Sequence, residues 1–160
     1  LGIQKLNASD IFVDTGVFHL GDDVYSPNSA NCYQFKARPI GPYYSKKIKI
    51  SKPASNKQAV IVFGSVIGLD TKLAKELGQN AIVSVYSSPV EIIFNGQKIG
   101  ELNMNGDNQQ IVIPNGLIRN NNDLTIRTGK NLFQYNYIDY DDMEFANLRI
   151  EIRDKVFANK

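Results

Sequence analysis

The chain has 160 residues, and its 18 Lys plus Arg against 16 Asp plus Glu give a formal charge of +2. That length suits one buried core, and the charge is too near balance to point to nucleic acid or a membrane surface. Cys32 is the single cysteine, which excludes an intrachain disulfide and a thiolate zinc cluster. Leu1 is not an initiator Met, no signal-like segment opens the chain, and no apolar run approaches the length of a membrane span. The expectation is a mature or excised piece without membrane insertion.

In chain order, short runs rich in Val, Ile, Tyr and Phe are bounded by Gly, Pro, Asn and Asp, as strands are. They predict strands over 11–13, 17–20, 33–37, 46–50, 59–64, 81–86, 90–94, 98–103, 110–113, 124–128 and 144–153. In VFHL, alternation sets His19 on the face opposite Phe18 and Leu20, which reads as a surface or edge histidine. In SKKIKISKPASNK it sets Lys47 and Lys49 opposite Ile48 and Ile50, the pattern of a solvated or edge-protected strand, with electrostatic binding of nucleic acid or an acidic polysaccharide as the alternative reading of this basic run. Gly64 and Gly68 in FGSVIG read as strand-end glycines, since neither a P-loop nor a dinucleotide-binding glycine pattern is present.

One short helix is predicted over 71–77, with Asp70 or Thr71 as cap, Leu73 and Leu77 at i and i+4, and Gly78 as the stop. The strongest local signal is VEIIFNGQKIGEL, where Asn95-Gly96 suits the positive φ angles of a type I′ hairpin turn. Near the end, Met143 and Phe145 hold odd positions while Leu148, Ile150 and Ile152 hold even ones. The apolar face therefore switches near Ala146-Asn147, which predicts a β-bulge there. No stretch has linker length and no repeat is visible, so residues 1–160 read as one domain. The fold class predicted is all-β: an antiparallel β-sandwich of jelly-roll type with at most one short helix near 71–77.

The hairpin VEIIFNGQKIGELNM, then QQIVIPNGLIRNNNDLTIRTG, then the closing DYDDMEFANLRIEI follow one another as in the C-terminal half of galactose-binding-domain-like jelly rolls, which the chain resembles. The segment GVFHLGDDVYSPNSANCYQF is similar to the glycine-bearing second strand of that family. These modules accompany glycoside hydrolases and polysaccharide lyases as carbohydrate-binding or ancillary sandwich domains. The resemblance implies a non-catalytic module of an extracellular or cell-surface, polysaccharide-active, multidomain protein, whose partners are a polysaccharide or glycan and the rest of its own chain. It also implies a structural Ca²⁺ joining an early loop, here Asp22 and Asp23, to the start of the last strand at Asp141 or Asp142.

Residues 135–145 read YNYIDYDDMEF, and their acidic half bears on that ion. Asp139, Asp141 and Asp142 offer hard oxygen ligands of the kind Ca²⁺ takes, but the spacing is not that of an EF-hand, so ligands from elsewhere are required. The competing reading is of solvated carboxylates, or carboxylates paired with Arg149 or Arg153. For sugar, the pattern sought is an aromatic face beside planar polar groups. Tyr135 and Tyr137 alternate with polar neighbours, Tyr43 and Tyr44 form a second aromatic pair, and Asn131 and Arg127 add polar candidates.

Catalysis lacks support. Glycosidase carboxyls flank a cleft at roughly 5 to 9.5 Å, whereas Asp139 with Asp141, or Asp142 with Glu144, lie along one side of an extended strand. With one histidine, one cysteine and no G-x-S-x-G elbow, a nucleophilic triad has no constellation, and the chain reads as no enzyme. The alternative from another class is a structural or protein-interaction β-sandwich of a surface assembly. Binding of nucleic acid is not expected.

Overall fold

The computed structural model of the chain describes residues 10–22, 35–69, 88–103, 105–132 and 138–155. The strands are β1 (Asp10–Leu20), β2 (Tyr43–Ile48), β3 (Lys57–Leu69), β4 (Val90–Phe94), β5 (Gln97–Leu102), β6 (Gln109–Ile113), β7 (Asn122–Arg127), β8 (Lys130–Leu132), β9 (Ile138–Tyr140) and β10 (Asp142–Asp154), with one 3-10 turn at Asn115–Leu117. Two four-stranded antiparallel sheets, ordered β1-β10-β3-β6 and β2-β7-β4-β5, make the sandwich, and β8 pairs with β9 outside it. The chain passes back and forth between the sheets, and β10 returns between β1 and β3 as β7 returns between β2 and β4. That order is the double Greek key of a jelly roll, the all-β architecture the strand pattern predicts. The helix predicted over 71–77 and the strand over 81–86 lie outside the described residues, as do residues 33 and 34 of the strand predicted over 33–37. Among the described residues no helix is long and apolar enough to cross a membrane.

Alternation explains why each sheet has one inner face. In β4 the burial pattern runs buried, partial, buried, partial, buried, so Val90, Ile92 and Phe94 enter the core while Glu91 and Ile93 face outward. In β7, Asn122, Leu124 and Ile126 point inward and Asp123, Thr125 and Arg127 outward. From the first sheet, Ile61, Phe63, Phe145, Leu148 and Ile150 meet them, all fully buried. Phe145 packs edge-on against Phe63 (5.6 Å between centroids, 81°) and Tyr44 (5.4 Å, 83°), an arrangement aromatic rings favour over parallel stacking. The Asn95-Gly96 turn has φ of 51° and 82°, as a type I′ hairpin requires.

The face switch at 146–147 is present, and its mechanism is shared by three strands. Asn147 takes φ of 56°, and on β1 the register slips so that Thr15 and Gly16 together oppose it. The two-for-one count that makes the bulge thus lies on β1, not on the closing strand. On β3 the core positions move from Ala59, Ile61 and Phe63 to Val66 across Gly64, where a Cβ would stand 2.6 Å from that of Asn147. Gly64 is therefore a mid-strand residue required by close approach, not a strand end.

Beyond this kink β10 is buried on both faces, from Asp142 through Phe145. The outer face is covered there by residues 35–37, after which the segment pairs along the edge of β1 through a parallel bridge between Pro39 and His19. Backbone bonds from Ile40 N–H to His19 O (2.9 Å) and from Gly21 N–H to Gly41 O (2.9 Å) hold the segment down. Residues 35–37, predicted as the end of a strand, are this covering segment and not a sheet member.

Candidate functional site

The covered end brings together polar residues that the sequence scatters. His19 stands on β1, the edge strand of its sheet, but is fully buried and not the surface residue that alternation also allowed. Its side chain does leave the core face as predicted, but it then meets residues 35–37 in place of water. Its Nε2 lies 2.7 Å from Asp142 Oδ1, its Nδ1 lies 2.9 Å from the carbonyl oxygen of Ala37, and its ring packs 4.5 Å from that of Phe35. Glu144 sits beside it on the same face, and its Oε2 accepts the backbone N–H groups of Lys36 (2.7 Å) and Ala37 (2.9 Å). One carboxylate thereby satisfies two consecutive donors, a strong arrangement because the acceptor is charged.

The early loop and the start of the last strand are adjacent. Asp22 Oδ2 accepts the N–H of Tyr140 at 2.9 Å, and a Cβ on Gly21 would stand 2.3 Å from Asp142 Oδ1. Asp141 and Asp142 are each 2% exposed, so they are not solvated carboxylates. The arginines once considered as their partners are engaged elsewhere, since Arg149 and Arg153 both reach Glu151 on the outer face of β10. Asp141 closes the adjoining turn through its backbone: its N–H donates to Gly129 O (2.8 Å), and its carbonyl accepts from Thr128 Oγ1 (2.6 Å). Among the described residues no three His, Cys, Asp or Glu side chains converge to hold a metal ion. Asp23 lies outside the described residues, and the backbone of Asp139 pairs with that of Asn131 between β9 and β8.

The sugar candidates divide just as sharply. Tyr135 and Tyr137 lie outside the described residues. Tyr44 is a core residue, 4% exposed, whose hydroxyl donates to Asp14 Oδ2 at 2.8 Å. Burial, then the hydrogen bond and charge of Asp14, raise its pKa far above the ordinary phenol value. As a candidate for touching ligand it is corrected by its parity, because Tyr44 and Ile48 point inward where Tyr43, Ser45 and Lys47 point out.

Tyr43 is 53% exposed, and its register partner on β7 is Arg127, the one other candidate with a described side chain. Two residues that are 84 positions apart in the sequence numbering thus become cross-strand neighbours on the open face of β2-β7-β4-β5. Arg127 Nη2 donates to Glu91 Oε1 at 2.7 Å, and Lys98 Nζ reaches the same carboxylate at 3.3 Å and Glu101 beyond it. The Arg127 hydrogen bond, working against partial burial, holds Glu91 below the usual carboxylate pKa. The next pair inward from Tyr43 and Arg127 is Ser45 with Thr125, hydroxyl to hydroxyl at 3.2 Å, followed by Lys47 with Asp123 at 3.0 Å. Around these two pairs is a depression of about 560 Å³, lined also by Ile93 and the Gly96 turn.

Ser45, Thr125, Asp123 and Glu91 were not singled out from the sequence. Glu91 and Thr125 fall within predicted strands while Ser45 and Asp123 lie one residue outside them, and the grouping of all four depends on β2 and β4 both pairing with β7, which no local pattern encodes. No protein-family model matches the chain, and no curated protein matches it.

Proposed function

We propose that this chain is a non-catalytic carbohydrate-binding module of a polysaccharide-active protein that works outside the cell, and that it takes its ligand on the open face of β2-β7-β4-β5. The observation that carries the reading is the exposed Tyr43 ring, directly cross-strand from Arg127 and one same-face pair away from the Ser45 and Thr125 hydroxyls, which line a depression together with Ile93. A sugar ring has one C–H face suited to an aromatic side chain and a rim of hydroxyls suited to planar, bidentate groups. Both kinds of group stand here on a rigid sheet, where side-chain spacing is set by the pleat.

A structural Ca²⁺ at the Asp22 and Asp141–Asp142 end belongs to the same proposal, with Asp23 or Asp139 needed to complete its ligands. Its chemistry would be to neutralise the clustered carboxylates and tie the early loop to β10.

The test is retention on immobilised glycans or a glycan array. Binding by the native chain, lost on Tyr43→Ala with the thermal transition unchanged, is the expected result. A clean array with a folded protein would refute the module. For the ion, chelated protein should melt at a higher temperature when millimolar Ca²⁺ is added, because a ligand of the native state stabilises by RT ln(1 + [L]/Kd). An unchanged melting temperature would remove calcium from the proposal and leave the glycan face standing.

A further inference from the structure

We infer that the ligand of this face is a neutral glycan and not an acidic one; the inference rests on the carbohydrate-binding reading above and specifies its substrate class. A uronate or sulfate ester binds where a cation has charge to spare. Of the described residues on this face, Lys47 is matched by Asp123 at 3.0 Å and Arg127 by Glu91 at 2.7 Å. Lys98 is matched twice, by Glu91 at 3.3 Å and by Glu101. At the edge, Lys46 leans toward Asp14 at 3.7 Å, while Lys49, exposed just past the end of β2 and one same-face position beyond the Lys47–Asp123 pair, forms no salt bridge among the described residues. Over the Tyr43–Arg127 and Ser45–Thr125 pairs, which lie at the end of β2 away from Lys49, an incoming carboxylate would have to displace Glu91 or Asp123 from its cation and would leave that displaced charge beside its own.

Hydroxyls have the opposite requirement, since each is a donor and an acceptor at once. An Arg127–Glu91 or Lys47–Asp123 pair presents a donor beside an acceptor, which suits two neighbouring hydroxyls without separating the ion pair. The Ser45 and Thr125 hydroxyls can turn to either role. The row therefore offers matched donors and acceptors, with an aromatic ring at one end and Ile93 as an apolar lining residue. Exposed pairs of this kind are weak and rearrange readily, so they can share their hydrogen bonds with sugar.

The experiment is affinity gel electrophoresis of the intact chain in neutral polysaccharides (glucans, galactans, xylans) and acidic ones (polygalacturonate, alginate, a sulfated galactan), at low and high salt. Retardation by at least one neutral gel, changing less than about twofold with salt because no net charge is neutralised, is expected. Glu91→Gln, which frees Arg127 and Lys98 from their shared carboxylate, should add salt-sensitive retardation in the acidic gels. Retardation of the native chain only in acidic gels, lost at high salt, would overturn the neutral assignment while keeping the carbohydrate module. Retardation in none would overturn the module itself and the inference with it.

Discussion

On the outer face of β1-β10-β3-β6, His19, Asp142 and Glu144 are buried where residues 35–37 cover the sheet, while on the outer face of β2-β7-β4-β5, Tyr43, Arg127 and Lys47 stand in solvent. Both regions have polar side chains at hydrogen-bonding distances and an aromatic ring nearby, so contact geometry alone does not distinguish them. Burial does. Under the covering segment each polar group has exchanged water for a protein partner, and removing one strands the other. On the open face, water can replace any lost partner, so the same pairs contribute little to stability and are free to exchange with a ligand.

The largest effect that would test this contrast is at Asp142. Asp142→Ala leaves His19 buried without its carboxylate and is expected to cost about 3 to 5 kcal/mol, read from urea denaturation. A loss no greater than that of Arg127→Ala, which removes an exposed pair and should cost about 1 kcal/mol or less, would erase the distinction between the two faces. Next is Glu144→Ala, which leaves the amides of Lys36 and Ala37 without their acceptor and should cost about 1 to 3 kcal/mol. Hydrogen exchange at those two amides should accelerate ahead of the core strands; unchanged protection would show that the segment is held by something other than this carboxylate.

A smaller effect concerns pH. Burial works against the Glu151 carboxylate, but hydrogen bonds from Arg153 and Arg149 outweigh it, so its folded pKa lies below the usual 4.5. With a depressed folded pKa, the group's stabilisation is fully present above 4.5 and is lost as pH falls through the lower folded value. Glu151→Gln should therefore lower stability near neutral pH and flatten its decline in that acid window. An equal acid decline in native and variant chains would remove Glu151 as a contributor.

Much of the architecture was legible because it is local. The Asn95-Gly96 hairpin, the alternation in β4 and β7, and the outward Lys47 beside an inward Ile48 follow from turn chemistry and a two-residue period. The face switch at Asn147 was visible as a change of parity, though not its continuation through Gly16 and Gly64 on the neighbouring strands. Tyr43 and Tyr44 looked interchangeable as an aromatic pair, yet one lines the open face and the other hydrogen-bonds Asp14 at the core. His19 was assigned the correct face and the wrong environment, because a strand's period tells which side a residue leaves by and not what lies on that side.

Composition and pattern in this chain therefore reach as far as an all-β sandwich, its strands and their inner faces, since those depend on neighbours within a few residues. The pairing of Tyr43 with Arg127, the convergence of His19 and Asp142 across 123 positions, and the choice of which outer face is covered depend on strand order and on a segment crossing the sheet. Such contacts arise only when strands far apart in the chain pair within one sheet, and no local preference carries that information.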